Sequence, residues 1–295
     1  MIIHSICPLC LSGKISLFLK CTDYLLSREE FDLCKCSDCG FVFTRQYPDE
    51  LVGIGKYYES DDYVSHDDKA KGFLNRLYLQ ARSVMLKRKR RMVEKATGIR
   101  KGSILDIGCG TGHFAATMKE GGWDVTGIEP NVKARDFAAR QFAIDVLGPE
   151  LISELPSGSF NCITMWHVQE HFHDPFSYAA EIKRLLRPGG LCLSALPNCS
   201  SFDAEHYGET WAAYDVPRHL WHFTPETFRT FAEKTGFKIS ETRSLPLDVF
   251  YISILSEKNK GSKIHFLKGV IKGSLFAFRA LFDKTKSSSL IYFLR

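Results

Sequence analysis

The sequence predicts an α/β protein with a parallel-type sheet of seven strands, a small cysteine-rich unit in front of it and a helical insertion between its last two strands. Three observations carry this. Strand-like and helix-like segments alternate from Ser103 onward, the pattern of a parallel sheet. A glycine-rich turn joins the first of those strands to its helix. Six of the 10 cysteines lie within the first 39 residues.

In chain order, the cysteine-rich unit comes first, over 1–45. Cys7-Pro8-Leu9-Cys10 and Cys36-Ser37-Asp38-Cys39-Gly40 are two C-x-x-C knuckles. The two-residue spacer lets both thiolates of a pair reach one tetrahedral zinc ion. Cys7, Cys10, Cys36 and Cys39 are therefore the expected ligands, and Gly40 the position needing positive φ. Cys34 competes with Cys36, although a one-residue spacer is too short for a knuckle; the bland alternative is four buried free thiols. Four thiolates close the coordination sphere, so the zinc would be structural. Short strands are expected at Phe31–Cys34 and Phe41–Phe43. So small a unit buries little core, and the metal would supply on the order of 10 kcal/mol toward its folding.

A joint follows over 46–97, with Tyr57, Tyr58 and Tyr63 among acidic residues. An amphipathic helix is expected at about Ala70–Ala96, its apolar positions Leu74, Leu77, Ala81, Val84 and Met85 at helical spacing. It ends in Lys87-Arg88-Lys89-Arg90-Arg91.

The remainder, 98–295, is the sheet domain. Strands are expected at Ile104–Ile107, Asp124–Ile128, Phe142–Leu147, Phe160–Trp166, Leu191–Leu196, Phe237–Leu245 and Ser288–Leu294. Helices lie between them at His113–Glu120, Val132–Gln141, after the Asp174-Pro175 cap and after the Thr224-Pro225 cap. The insertion runs from about Val249 to Asp283. It carries Lys268, Lys272 and Arg279 on one stripe, with Ile271, Leu275, Phe276, Phe278, Leu281 and Phe282 around the rest. A lid over the substrate or a homodimer face is the expected use, ahead of peripheral contact with an anionic membrane.

Composition sets the outer bounds. The 295 residues suggest about two domains. Hydrophobic residues at 44% and charged residues at 25% exclude wholesale disorder. A formal net charge of only +5 excludes acidic-tail proteins and histone-like polycations. No apolar run reaches the ~20 residues of a membrane span. Met1 to Cys10 lacks the regions of a secretory signal, so a cytoplasmic location is expected.

The chemistry lies in Leu105-Asp106-Ile107-Gly108-Cys109-Gly110-Thr111-Gly112, at a strand-to-helix turn. Alternate glycines let backbone approach a ligand and leave amides at a helix N-terminus. Glu129 ends the next strand, where a carboxylate accepts from ribose hydroxyls. The spacing is G-x-G-x-G with His113 following, which is neither a dinucleotide fingerprint nor a phosphate-binding P-loop.

With Asp106 ahead of the glycines, this segment resembles motif I of class I S-adenosylmethionine (SAM)-dependent methyltransferases. The resemblance extends through Glu129, Phe160-Asn161-Cys162-Ile163, Val168-Gln169-Glu170-His171 and Leu186-Arg187-Pro188-Gly189-Gly190, over about Ser103 to Leu196. The cysteine unit, the tyrosine joint and Val216-Pro217-Arg218-His219-Leu220-Trp221-His222-Phe223-Thr224 are similar to the zinc-ribbon-bearing branch related to ubiquinone-biosynthesis O-methyltransferases. The resemblance implies a Rossmann-like seven-stranded methyltransferase sheet. It implies that Asp106, Gly108, Cys109, Gly110 and Gly112 shape the methionine and ribose pocket and that Glu129 holds the ribose diol. Trp166 and His167 would line the pocket at the end of the fourth strand, or else form an aromatic core cluster. The chain departs from the pattern at Asn161, at Gln169 and near Leu147-Gly148, where the carboxylate that reads the adenine amino group is missing.

Methyl transfer is an in-line displacement, to which positioning contributes up to ~7–11 kcal/mol. An oxygen or carbon acceptor must also lose a proton, and histidine suits that task near neutral pH. His219 is the expected base and His171 the second candidate, with His222 behind them; each has the alternative of only supporting loop backbone. Arg218 would bind an anionic substrate group or be a surface charge. The expected acceptor is a small molecule, sugar-linked or a polysaccharide precursor, methylated on O or C. Two rivals remain. An RNA methyltransferase would use the zinc ribbon and the Lys87–Arg91 run as its footprint; the segment after the fourth strand lacks the Pro-Pro or Pro-Cys signatures of base methylation. The other is a non-catalytic SAM-binding scaffold with the ribbon as a partner-binding module; the intact glycine loop and Glu129 argue against such decay.

Overall fold

A computed structural model describes residues 1–49, 53–58 and 73–295. Tyr63, Ala70 and the side chains of Leu74, Leu77 and Ala81 lie outside the described set. The strands are β1 (Ile2–Ile3), β2 (Ile15–Thr22), β3 (Glu30–Cys36), β4 (Val42–Thr44), β5 (Gln46–Tyr47), β6 (Ser103–Ile107), β7 (Asp124–Ile128), β8 (Asp145–Leu147), β9 (Phe160–Trp166), β10 (Leu186–Pro197), β11 (Trp221–His222), β12 (Ile239–Ser244) and β13 (Ser289–Leu294). The helices are α1 (Phe73–Thr97), α2 (His113–Glu120), α3 (Val132–Phe142), α4 (Pro175–Leu185), α5 (Phe202–Tyr207), α6 (Pro225–Lys234), α7 (Asp248–Asn259) and α8 (His265–Ala280).

Seven strands form one sheet in the order β12-β13-β10-β9-β6-β7-β8. All seven expected strands are in it. β6 runs parallel to both β7 and β9, and β7 parallel to β8. The sheet is apolar because both of its faces are covered: Ile104, Leu105, Ile107, Ile128, Ile163 and Met165 are buried. The capping residues act as the sequence predicts. Asp174 accepts from the N–H groups of Phe176 and Ser177 at the start of α4, with Pro175 at its first position. Thr224 and Thr227 form a reciprocal capping box on α6.

The chain divides into two compact units that cut across the expected 1–45, 46–97 and 98–295 division. One unit combines residues 1–60, 169–173 and 195–292; the other combines 61–168, 174–194 and 293–295. In the first, a four-stranded antiparallel sheet has the order β11-β4-β3-β2. Its fourth strand pairs Trp221 with Phe43 and His222 with Val42. The expectation of a small ribbon with little core is corrected here. Phe31, Leu33 and Val42 share a hydrophobic cluster with Ala204, Tyr207, Trp211, Val249, Ile252 and Phe276. The metal knuckles therefore need not supply all of the stabilisation.

The insertion is the helix pair α7–α8. A Cβ on Gly269 would lie 2.4 Å from Ile254 Cα, and one on Gly273 would lie 3.0 Å from Phe250, so both glycines are required for this close packing. The far side of α8 exposes Phe266, Leu267, Ile271 and Phe278.

Candidate active site

In the second unit, the turn after β6 is built from backbone. Gly108, Gly110 and Gly112 have φ of 68°, 54° and 80°, the left-handed region that L side chains avoid. Two of them are also sterically required. A Cβ at Gly108 would stand 2.4 Å from Val168 Cγ2, and one at Gly112 would stand 2.7 Å from Ala138 Cβ. A Cβ at Gly110 would meet nothing within 4 Å, so this glycine faces open space. Glu129 ties the cradle together: Oε2 accepts from Gly110 N at 2.8 Å, and Oε1 accepts from Asn131 N at 3.0 Å. Each oxygen retains accepting capacity. Burial raises the Glu129 carboxyl above its usual range, against the N–H groups of Asn131 and Gly110.

Asp106 is buried on β6 and accepts from Thr164 Oγ1 at 2.7 Å. Burial pushes its carboxyl up to about 7, against the Thr164 hydrogen bond and the nearby Lys89 charge. Trp166 packs edge-on against Phe114 at 5.3 Å, with Lys89 Nζ 4.1 Å above its ring. Among the described residues, its buried Nε1 has no hydrogen-bond partner. His167 takes φ 59°, unusual for a residue with a side chain and costing roughly 1–2 kcal/mol. The basic run is partly absorbed by the same unit. Besides Lys89, Arg90 pairs with Glu94 at 3.3 Å and donates to Thr117 O at 3.4 Å. Near Leu147-Gly148, Glu150 Oε1 lies 2.0 Å from where a Gly148 Cβ would stand.

In the first unit, His171 and His219 meet edge to face, with centroids 4.6 Å apart. Glu170 Oε1 lies 4.0 Å from His219 Nε2, and Asp215 Oδ2 lies 3.9 Å from it. His219 Nδ1 donates to Ala213 O at 2.8 Å. Burial, and then the neighbouring His219, lower His171 to about 4. His222 stands apart, its Nε2 3.1 Å from Thr44 Oγ1.

Arg218 is neither a substrate clamp nor a surface charge. It is 1% exposed. It donates twice to Asp215, at 2.9 and 2.5 Å, once to Asp23 at 2.9 Å and once to Tyr57 O at 3.1 Å. Burial disfavours a charged Asp23, yet Arg218 and the Ser27 N–H hold its carboxyl below the usual range. Asp23 carries no motif, so only the fold reveals this role.

The cysteine knuckles also lie in the first unit. The Sγ atoms of Cys7, Cys10, Cys36 and Cys39 lie within 4.8 Å of one another, with Cys7–Cys39 at 3.6 Å and Cys10–Cys36 at 3.5 Å. Four thiolates about 2.3 Å from one ion stand roughly 3.8 Å apart, so the set fits a tetrahedral metal. Both knuckles close alike: Leu11 N donates to Cys7 O and Gly40 N to Cys36 O, each at 2.9 Å. Gly40 has φ 75° as expected, and Leu11 takes φ 64° at the matching position. Burial opposes ionisation of Cys36, but the N–H groups of Cys39 and Asp38 overcome it and hold the thiol near 7.

Counted from the edge strand β8, the sheet order is 3-2-1-4-5-7-6. With a glycine cradle after its first strand and a carboxylate after its second, this is the class I methyltransferase type of α/β fold. The methyltransferase-domain family matches residues 77–242, more than half of the chain, and the chain belongs to it. The ubiquinone biosynthesis O-methyltransferase of Maricaulis maris is 30% identical over 150 residues, covering 46% of this chain and 59% of that protein. The protein of the same name from Psychrobacter cryohalolentis is 33% identical over 110 residues, covering 34% and 43%. The chain thus spans about half the length of the curated relatives it matches. The solved structure of the (4+2) cyclase SpnF aligns with a TM-score of 0.50 at 18% identity, over 70% of this chain and 79% of that one. That likeness is one of fold alone.

Proposed function

We propose that the protein transfers the methyl group of SAM to a small hydroxylated acceptor, a sugar-linked or similar metabolite, by O- or C-methylation. The observation that carries this reading is the open face of Gly110, with Glu129 bound to its amide. The cradle fits the cofactor. Glu129 has capacity for two ribose hydroxyls, and the N–H of Trp166 is free to donate to a ligand. SAM supplies a methyl carbon on a sulfonium; the acceptor oxygen or carbon attacks it, the C–S bond breaks and its electron pair remains on sulfur. The acceptor must give up a proton, and His219, whose Nε2 keeps a lone pair, is the group assigned to this step, with His171 beside it. One structural zinc per chain is assigned to Cys7, Cys10, Cys36 and Cys39. Lys89 and Arg90 bond within their own unit, which removes part of the footprint an RNA substrate would need.

Calorimetry and radiolabelled SAM test the assignment. Glu129→Ala loses two charge-assisted hydrogen bonds and should bind SAM about 2–3 kcal/mol more weakly. His219→Asn should retain SAM affinity and slow turnover by about 10²–10⁴. Label should pass to nucleotide sugars or lipid-linked sugars. Label on bulk RNA alone, or unchanged SAM affinity in folded Glu129→Ala, would sink the proposal.

A further inference from the structure

We infer that the outer face of α8 docks on an anionic phospholipid surface, the use that the sequence ranks last for the insertion. The helix has three sides. Gly269, Gly273 and Phe276 are buried, and the two glycines lie against Ile254 and Phe250 of α7. Opposite them stand Leu267, Ile271, Leu275 and Phe278, within an arc of about 80° at 3.6 residues per turn. Leu281 and Phe282 carry the arc past the last turn. All six are exposed, from 48% at Leu275 to 80% at Phe282. A contiguous apolar face of this kind on a folded chain marks an interaction site.

Lys268, Lys272 and Arg279 make the third side, a stripe along one margin of the apolar arc. Lys268 and Lys272 are four residues apart, a spacing at which like charges destabilise a helix. Together with Glu257, Lys260 and Ile271 they line a groove of about 320 Å3. The groove's one carboxylate, Glu257, is buried and accepts from Tyr207 Oη at 3.4 Å. Lys260 Nζ lies 4.9 Å from the Tyr207 ring, and Arg279 rests 3.9 Å over the Phe202 ring. Three ammonium groups thus converge where an anionic headgroup would meet the helix.

Charge complementarity selects the occupant. Residues 257–286 hold eight Lys and Arg against Glu257 and Asp283, a formal +6, whereas the whole chain carries only +5. Among the described residues, Lys286 is the one of these cations with a carboxylate oxygen within 4.0 Å, that of Glu205. α8 itself contains no Asp or Glu, so a second copy offering the same face would set like charge against like. A nucleic acid would match the lysines and leave six apolar side chains in water. An anionic bilayer satisfies both sides: acyl chains take up the arc and lipid phosphates meet the stripe. The 16 residues of α8 span about 24 Å, short of the ~30 Å hydrocarbon layer. No helix among the described residues is long and apolar enough to cross a membrane. The helix would therefore lie in the plane of the headgroups.

Vesicle flotation with the intact chain tests this. The protein should float with vesicles of mixed phosphatidylglycerol and phosphatidylcholine. Its affinity for phosphatidylcholine alone should be lower by about tenfold or more, and added salt should weaken the anionic case. Two double variants sharpen the test: Lys268→Glu with Lys272→Glu, and Ile271→Ser with Phe278→Ser. Each, checked for folding by circular dichroism, should lose about tenfold or more in affinity for the anionic vesicles, with SAM affinity unchanged. The wild-type comparison of the two vesicle types decides even if a variant fails to fold. No flotation on the anionic vesicles, equal flotation on both types, or flotation unchanged in both variants would overturn the inference. So would a dimer in sedimentation equilibrium that Ile271→Ser with Phe278→Ser dissociates while vesicles stay unbound, since the face would then belong to a second copy. Acceptor labelling from SAM is a separate readout, so lipid docking and the methyl-transfer reading stand or fall independently.

Discussion

The glycine cradle and the histidine cluster are built in opposite ways. The cradle is largely backbone: three left-handed glycines and two N–H groups that donate to the Glu129 carboxylate, all within residues 108–131. The cluster is side chain: Glu170, His171 and His219 rest on an ion network that reaches back to Asp23. A backbone site is specified locally and tolerates change elsewhere. A side-chain site is only as firm as the distant residues beneath it.

The sharpest way to break that contrast is to remove Arg218. Arg218→Ala leaves the buried Asp23 and the partly buried Asp215 without a counter-charge, and the expected loss is about 3–5 kcal/mol by urea denaturation. SAM affinity in the folded fraction should be unchanged. A loss below about 1 kcal/mol would mean that the network is incidental.

The cradle has its own electrostatic cost, in Asp106. Because its carboxyl is raised to about 7 in the folded chain, the folded state holds a proton that the unfolded chain has released. Its contribution is therefore most favourable below about pH 4 and is lost as pH rises from about 4 to 7, by roughly 4 kcal/mol if the shift is fully expressed. Asp106→Asn should abolish that slope, so the mutant gains stability relative to wild type as pH approaches 7. Parallel slopes in denaturation series across this window would refute the assignment.

The smallest effects separate the glycines. Gly108→Ala strains φ and meets Val168, so it should cost about 2–3 kcal/mol of stability. Gly110→Ala, facing open space, should cost only about 1–2 kcal/mol of stability, while SAM affinity falls at least tenfold. Equal effects of both substitutions on SAM binding would show that Gly110 does not face the ligand.

How much of this was legible follows from the same contrast. The cradle, Glu129, the capping residues and all seven sheet strands lie in short contiguous stretches, where local propensity and packing agree. The cysteines were legible because the C-x-x-C spacing is fixed locally, and the fold brings the two pairs together. Two features were not. Leu11 takes a left-handed conformation that only glycine would have signalled. Arg218, in a segment picked out for its histidines, has Asp23 as its partner across 195 positions; nothing local distinguishes a buried ion pair from two surface charges. The N-terminal sheet was only half visible, because β2 (Ile15–Thr22) lacks strict alternation and β11 comes from far along the chain.

That last strand has a consequence for synthesis on the ribosome. β4 acquires its outer neighbour only when Trp221 and His222 have been made. Until then the strand carrying Val42 and Phe43 has an open edge, with the apolar residues of its cluster waiting for Trp211, Val249 and Phe276. An unpaired apolar edge invites pairing with other chains, and slow vectorial synthesis prolongs the exposure. The thiolate knuckles at 7–10 and 36–39 are complete long before that. Early metal capture would hold the first strands in register while the rest of the chain emerges.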